Sequence, residues 1–270
     1  MARGKRKRRG YPGVLRRRIV LFLLCISFCI AGFFVLNSRK FWSKDGISKA
    51  GYHSDILSVL GMEHNGENIL EDEIPVILQN PELPSGCESA AAAMLLGAYG
   101  FDVDKEEFAN ALPWCGLEEY EGRVYACSPQ EAFVGSPYSA GYGVFADIVA
   151  ETIQKFIHQS GGKMQAKDIS GTSQQTILKY VERGMPVCVW VTMDLREVEY
   201  RSGWYIRDGE VYTDEYFEWP AGEHCMLLTG YRDGKVTVHD PLRGRMEYDS
   251  KTFFQRYRDM GCQAVIIIEE

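Results

Sequence analysis

The most apolar stretch of the chain is Ile19–Leu36, an 18-residue run without a charged side chain. That length is near the lower limit for a helix that crosses a bilayer. The run is longer than the apolar region of a typical cleaved signal peptide, and no A-x-A-like site follows it. The pattern therefore favours a transmembrane signal anchor over a cleaved signal.

Four later stretches have the spacing or composition of helices. They are Glu88–Tyr99, Asp102–Leu112, Val144–Ser160 and Ser173–Arg183. The first is rich in alanine and follows Ser85, which we expect to cap it. Asp104, three residues before Glu107, is expected to cap the second.

The period then changes to that of strands. The predicted strands are Pro186–Met193, His224–Tyr231, Lys235–His239 and Gly261–Glu269. Arg232-Asp233-Gly234, between the second and the third, is a hairpin signal. Helices followed by antiparallel strands favour an α+β fold.

Residues 113–143 interrupt this order with a long stretch rich in Gly, Pro, Ser and aromatic residues. So long an irregular stretch inside a compact domain is usually functional or mobile. We interpret it as a wall beside a functional site, and a purely structural surface loop is the alternative.

Charge divides the chain at the apolar run. Residues 1–18 hold nine of the 30 basic side chains and no acidic one, whereas all 37 acidic side chains follow residue 36 together with the other 21 basic ones. The positive-inside rule then places residues 1–18 in the cytoplasm and the remainder outside. An acidic outer part argues against a nucleic-acid partner, and the apolar run directly after the basic segment argues against a nucleic-acid-binding arm.

The predicted organisation therefore has four parts. They are a cytoplasmic basic segment (1–18), a transmembrane signal anchor (19–36), a juxtamembrane spacer (37–73) and one catalytic-looking domain (74–270). We expect a single-pass protein of the cell membrane whose domain is extracellular.

Six cysteines lie outside the anchor, and an exported protein can oxidise some of them. Cys115 and Cys127 flank a polar loop and are the best candidates for a disulfide. The sequence has no CxxC pair and no His/Cys cluster with metal-ligand spacing. We therefore expect no structural zinc and no cofactor.

A proline-stiffened arm, residues 79–86, leads into the first predicted helix. Pro81 and Pro84 keep the arm extended, and Cys87 then lies in the first helical turn. The positive end of the helix dipole favours a thiolate there and should lower the pKa of the cysteine. This setting suits a nucleophile, although a buried structural cysteine is the commoner case.

A thiol nucleophile needs a base, and the base needs an orienting group. His224 opens an apolar strand, and Asp240 lies at the end of the next strand. The order Cys, His, Asp is that of papain-like thiol hydrolases. The Cys87 N–H and a side-chain amide just upstream can stabilise an oxyanion. Gln79 is the candidate for that amide, and Asn80 is its competitor.

Several motifs together resemble one bacterial family. They are Pro81-Glu-Leu-Pro-Ser-Gly-Cys-Glu88 behind Gln79, Phe133-Val-Gly135, Gly141-Tyr-Gly143, Gly184-Met-Pro186, His224-Cys-Met-Leu-Leu-Thr-Gly230 and Asp240-Pro241. The family is family thirty-nine of the cysteine peptidases, related to bacteriocin-processing peptidases, in its stand-alone "-like" branch. The resemblance covers residues 74–270. It implies a papain-like fold with Cys87 as nucleophile, His224 as base, Asp240 as orienting group and Gln79 in the oxyanion hole.

Two departures limit what this resemblance implies. The bacteriocin-processing enzymes proper are cytoplasmic domains fused to a transporter and cut after a double glycine, whereas here no transporter is found and the domain is expected outside. Gln79 also lies farther before Cys87 than the glutamine of papain-type enzymes lies before its cysteine, so that the arm must absorb the difference.

The predicted hairpin raises a difficulty for Asp240. A two-residue turn at Asp233-Gly234 pairs Asp240 with Leu227, three residues from His224, and so puts the two side chains on opposite faces. Asp240 reaches His224 only if Pro241 ends the strand or a bulge intervenes.

The sequence thus predicts a membrane-anchored, extracytoplasmic thiol hydrolase that acts on a peptide or peptide-like substrate. A catalytically silent papain-like module that binds peptide or cell-wall material is the alternative from another class. A transpeptidase, in which an amine replaces water as the acceptor, is a third possibility that sequence does not separate from hydrolysis.

Overall fold

The computed structural model describes residues 74–269, and over this range the fold is α+β, as predicted. The predicted basic segment, signal anchor and spacer lie outside the described residues. Within 74–269, none of the helices combines the length and the apolar character that a membrane crossing needs.

The described residues form five α-helices. They are α1 (Cys87–Ala98), α2 (Lys105–Ala111), α3 (Ala146–Gln159), α4 (Gln174–Glu182) and α5 (Ser250–Asp259). The first four correspond to predicted helices, and Asp104 caps α2 by accepting a hydrogen bond from the Glu106 N–H. The pattern does not predict α5, because its polar sequence carries only a narrow buried apolar stripe of Phe253, Phe254 and Tyr257.

The start of α1 differs from the prediction. Its N-cap residue is Gly86, and no side chain caps the helix. The Ser85 hydroxyl instead accepts a hydrogen bond from the Gly141 N–H at 3.0 Å. A Cβ atom on Gly86 would lie 2.6 Å from the Leu83 Cβ, so the turn requires glycine. Ser85 therefore joins the arm to the 113–143 stretch.

Helices cover both faces of a six-stranded antiparallel sheet. Its strands in spatial order are β11 (Gly244–Asp249), β10 (Lys235–Asp240), β9 (Glu223–Arg232), β6 (Val187–Thr192), β12 (Ala264–Ile268) and β5 (Gln165–Asp168). Cys188 and Trp190 of β6 pack with α1 and α3, whereas Val187 and Val189 pack with α4 and α5. Because both faces are buried, β6 is a continuous apolar run in the sequence.

The hairpin of β9 and β10 turns at Asp233-Gly234 as predicted, but its register shifts by one residue. The pairs beside the shift are Thr237 with Gly230 and Val238 with Leu228. Thr229 is therefore the extra residue of a bulge. Beyond the bulge the alternation puts Asp240 on the sheet face of His224. Of the two ways by which Asp240 could reach His224, the structure shows the bulge, and the uninterrupted register of a two-residue turn ends there.

A second sheet and a short strand pair contain the remaining strands. The sheet has the order β2 (Glu118–Tyr120), β3 (Arg123–Ala126), β7 (Glu199–Asp208) and β8 (Val211–Ala221), and β1 (Trp114–Cys115) pairs with β4 (Phe133–Val134). The pattern predicts neither β7 nor β8, because charged residues interrupt the alternation. Trp204 and Trp219 of this hairpin are buried in the core that α1 and α3 share.

Cys115 and Cys127 form a disulfide, which confirms the predicted pairing. The bond ties β1 to the segment that follows β3. Next to it, the Trp204 indole N–H donates to the Cys127 carbonyl at 2.9 Å. Both cysteines lie within the 113–143 stretch, which contains β1 to β4 and is thus less irregular than predicted, and the disulfide links β1 to the end of β3 in the second sheet.

Removal of this disulfide should lower the free energy of unfolding. The two cysteines are 12 residues apart, and closing a loop of that size contributes about 3 kcal/mol in the chain-entropy view. We expect the Cys115→Ser/Cys127→Ser protein to lose up to about that amount, measured by urea unfolding of the full-length chain. A reductant should destabilise the unchanged protein but not the double variant. Equal sensitivity of both proteins to the reductant would contradict this prediction.

Candidate active site

Cys87 is the first residue of α1 and is 6% exposed. The helix packs against β9, the strand that carries His224. Among the described residues, the Cys87 Sγ donates its hydrogen bond to Glu88 Oε2, at 3.2 Å. The thiol therefore contacts a carboxylate that the sequence analysis did not single out.

His224 and Asp240 are in direct contact. The distance from His224 Nε2 to Asp240 Oδ1 is 2.7 Å, and both side chains are 2% exposed. Asp240 also accepts a hydrogen bond from the Leu242 N–H at 2.8 Å. Burial raises the pKa of Asp240, but the hydrogen bond and charge of His224, with the hydrogen bonds from the Leu242 N–H and the Tyr248 hydroxyl, together lower the pKa below its ordinary value. The contact leaves Nδ1 of His224 as the ring nitrogen available to other groups.

Gln79 is buried and Asn80 is exposed. The Gln79 side-chain NH2 donates to the carbonyls of Leu83 at 3.2 Å and of Pro84 at 2.9 Å. Its backbone N–H donates to the Pro241 carbonyl at 2.8 Å. The arm is thus attached to the strand end that carries Asp240, and the Gln79 amide is engaged with the arm itself. The arm is turned rather than extended as predicted, because the Leu83 N–H donates to the Gln79 carbonyl at 2.9 Å.

The predicted site residues meet at a cavity of about 160 Å³. Gln79, Cys87 and His224 line it, and Asp240 lies behind His224. Gly141 and Tyr142 of the 113–143 stretch form part of its wall, as we interpreted that stretch. His239, the other histidine of this hairpin, is buried and alternates to the sheet face opposite Asp240.

Glu88 and Glu223 are two buried acidic residues that sequence reasoning missed as parts of the site. Glu88 is 0% exposed, and its Oε1 accepts a hydrogen bond from the Val144 N–H at 2.8 Å. Glu223 is 8% exposed, and its Oε1 has no hydrogen-bond partner among the described residues. Glu88 directly follows Cys87 and Glu223 directly precedes His224, which is the one sequence feature that places them near the site. The sequence does not show that their side chains point towards Cys87.

Burial dominates the electrostatics of this acidic pair. It raises the pKa of Glu88 to about 7. Burial and the nearby charge of Glu88 raise the pKa of Glu223 well above its ordinary value. Charged carboxylates are costly in such a place, so both groups lose their protons only at a higher pH than an exposed glutamate does.

The pKa of Cys87 also differs from the expectation. We expected the helix dipole to lower it, but burial and the negative charges of Glu88 and Glu223 raise it well above its ordinary value. A dipole effect is confined to the end of a helix and is modest in size, whereas loss of solvent and like charges act directly on the thiolate. This arrangement therefore favours the thiol of Cys87 over its thiolate.

Comparison with known proteins assigns the fold and the family. The model of the "Peptidase_C39 like family" matches residues 71–265. The protein YvpB of Bacillus subtilis is 30% identical over 200 residues, which cover 72% of this chain and 75% of YvpB. A solved structure from Bacillus anthracis, assigned to the C39-like peptidases, superimposes with a TM-score of 0.65 at 27% identity and covers 76% of this chain and 99% of its own.

The lowered pKa of Asp240 predicts a specific dependence of stability on pH. A carboxyl group whose pKa is lower in the folded state stabilises the fold above its ordinary pKa, and the contribution disappears as the pH falls through the folded value. The difference in free energy of unfolding between the unchanged protein and Asp240→Asn should therefore shrink on acidification from pH 6 to below 4, as measured by urea unfolding.

The exposed Asp102 provides the control. Asp102→Asn should change the free energy of unfolding little at either pH. A deficit of Asp240→Asn that stays constant or grows on acidification would contradict the assignment of a charged, stabilising Asp240.

Proposed function

The chain belongs to the peptidase C39-like family, and on that premise we propose that it is a cysteine peptidase or amidase that uses Cys87, His224 and Asp240. Its substrate is a peptide or a peptide-like amide. The reaction is acyl transfer to water through a thioester on Cys87.

The contact between His224 and Asp240 carries this proposal. A buried imidazole held at one nitrogen by a carboxylate is fixed in orientation and tautomer, and its other nitrogen is directed to a neighbouring reactant. Here the other nitrogen is Nδ1, and the cavity that His224 lines also contains Cys87. This papain-like arrangement suits general-base activation of a thiol.

The reaction begins when the Cys87 thiol turns from Glu88 towards His224. His224 Nδ1 takes the thiol proton, and the thiolate attacks the amide carbonyl. The protonated His224 then gives that proton to the leaving amine, which breaks the C–N bond and leaves a thioester. Water, deprotonated by His224, releases the acid and restores the thiol.

Two N–H donors stabilise the oxyanion in this proposal. One is the backbone N–H of Cys87 at the start of α1, and the other is the side-chain amide of Gln79. That amide now donates to the Leu83 and Pro84 carbonyls. One of these two hydrogen bonds has to break when substrate binds, so that the amide can donate to the oxyanion. The backbone bond from Gln79 to Pro241 keeps the amide near His224 and Asp240 during the change.

We also propose that the protein is anchored in the membrane with its peptidase domain on the outer side. Residues 19–36 anchor the chain in the membrane, and the basic segment before them keeps the N-terminus in the cytoplasm. The peptidase domain then acts on the outer side, held close to the membrane by residues 37–73. The disulfide of Cys115 and Cys127 supports this placement, because such bonds persist in oxidising compartments.

One observation favours a second candidate, a papain-like module that binds peptide without cleaving it. Cys87 is a buried thiol that donates to Glu88, and its pKa is raised. A thiol that never turned to His224 would have no activity. Turnover measurements on variants separate the two candidates.

We expect Cys87→Ala to abolish cleavage of a peptide library by the full-length protein in detergent, with products detected by mass spectrometry. Gln79→Ala should reduce kcat by roughly a hundredfold or more, the usual cost of one oxyanion donor. Asn80→Ala is the matched control beside it and should retain activity, because Asn80 is exposed and does not line the cavity.

Undiminished cleavage by Cys87→Ala would overturn the proposal. Absence of cleavage by the unchanged protein, together with saturable binding of library peptides, would favour the binding module. A loss of activity in Asn80→Ala as large as that in Gln79→Ala would remove Gln79 from its proposed role.

A further inference from the structure

We propose that Cys87, Glu88 and Glu223 form an inhibitory binding site for a divalent transition-metal ion, with Zn²⁺ as the favoured ion. The binding itself does not depend on the peptidase activity. The inhibition rests on the proposed function, because the ion would occupy the sulfur that acts as the nucleophile.

The three side chains offer ligand atoms in one small volume. The Cys87 Sγ, a Glu88 carboxylate oxygen and a Glu223 carboxylate oxygen all lie within 4.8 Å of one another. The Sγ and Glu88 Oε2 are 3.2 Å apart. Ligand atoms of a tetrahedral zinc ion with one sulfur and several oxygens lie roughly 3.3–3.6 Å apart. Small shifts of the side chains therefore suffice to surround an ion.

Glu223 provides an independent sign that a ligand belongs here. Its side chain is more than nine-tenths buried, yet Oε1 has no hydrogen-bond partner among the described residues. A buried carboxylate oxygen without a partner costs free energy that a bound cation would recover. In the described part of the chain, no lysine or arginine forms an ion pair with Glu88 or Glu223.

The surroundings hold the carboxylates in place. The Val144 N–H binds Glu88 Oε1, which fixes the carboxylate and leaves Oε2 beside the sulfur. Such a second hydrogen bond is typical of carboxylates that ligate metals. Gly143 closes the other side, since a Cβ atom there would lie 2.4 Å from Glu88 Oε1 and 3.1 Å from Glu223 Oε2. The absence of a side chain at 143 keeps this volume free for the two carboxylates.

The ligand types select the metal. One thiolate and two carboxylates match the borderline preference of Zn²⁺, whereas Mg²⁺ and Ca²⁺ prefer oxygen ligands alone. Cys87 and Glu223 line the cavity, so the fourth position would be open to water. On binding, the thiol S–H bond breaks, the thiol proton and any proton held by the two carboxyl groups pass to solvent, and one sulfur–metal and two oxygen–metal bonds form. The bound ion withdraws electron density from the sulfur and occupies the space beside it, so the sulfur is a weaker nucleophile and is less accessible to a substrate carbonyl.

Co²⁺ tests the site by absorption, because a cobalt–thiolate bond gives a charge-transfer band in the near ultraviolet. We expect the full-length protein in detergent, with Cys87 as a free thiol and the Cys115–Cys127 disulfide intact, to develop this band saturably on titration and to lose it when Zn²⁺ is added. Cys87→Ser should not develop the band. Glu88→Gln and Glu223→Gln should each weaken the affinity by at least about tenfold, on the order of the loss seen when groups that support a metal site are removed.

Two controls separate this site from other modes of binding. His224→Ala should leave the affinity unchanged, because His224 is not among the ligands, and Glu131→Gln should do the same at an exposed glutamate. Far-ultraviolet circular dichroism of each variant tests folding. Glu223→Gln carries the test if Glu88→Gln does not fold.

Absence of a saturable cobalt–thiolate band would overturn the proposal. So would a band that survives in both Glu88→Gln and Glu223→Gln, or one that disappears in His224→Ala, which would indicate a cysteine–histidine site instead. Because absorption reports binding without turnover, a protein that lacks peptidase activity but binds Co²⁺ as expected would contradict the proposed function and leave the metal site standing.

Discussion

The 2.7 Å contact between His224 and Asp240 is the interaction on which the candidate site depends. It exists because β9 carries one residue more than β10 at Thr229. Without that bulge, strand alternation would direct Asp240 to the opposite face of the sheet, and His224 would lack its orienting group. A local irregularity of one hairpin thus decides whether the six-stranded sheet can present a histidine–carboxylate pair.

The same end of the sheet organises the other parts of the site. The Gln79 N–H binds the Pro241 carbonyl just beyond Asp240, and Gly86 brings the arm back so that α1 begins at Cys87. The thiol then meets two buried carboxylates rather than an open, polar environment. Burial and these carboxylates together raise the pKa of Cys87, and the carboxylates with the sulfur form the proposed metal site. The reactivity of the Cys87 thiol therefore depends on whether protons or a bound cation neutralise the carboxylates of Glu88 and Glu223.

Much of this arrangement can be predicted from the sequence, and the limits have physical causes. Helical spacing and apolar runs predict α1 to α4 and the central strands, because those elements bury continuous apolar surfaces. The pattern does not predict the hairpin of β7 and β8, because these strands are largely exposed and carry charged residues. No residue type at or near Thr229 indicates the bulge. The register of a regular hairpin does show that Asp240 and His224 would lie on opposite faces without one. Glu88 and Glu223 are 135 residues apart in sequence, so their contact appears only in three dimensions, and no spacing rule for metal ligands would find it.

The proposed peptidase activity requires that His224 activates Cys87 as a nucleophile. Peptide mapping by mass spectrometry after treatment of the full-length protein with a peptidyl epoxide tests it most directly, because such a reagent alkylates a thiol that an adjacent histidine activates. We expect one adduct, on Cys87, that is lost in His224→Ala. An adduct on Cys188, Cys225 or Cys262 instead, or labelling of Cys87 that persists in His224→Ala, would contradict the claim.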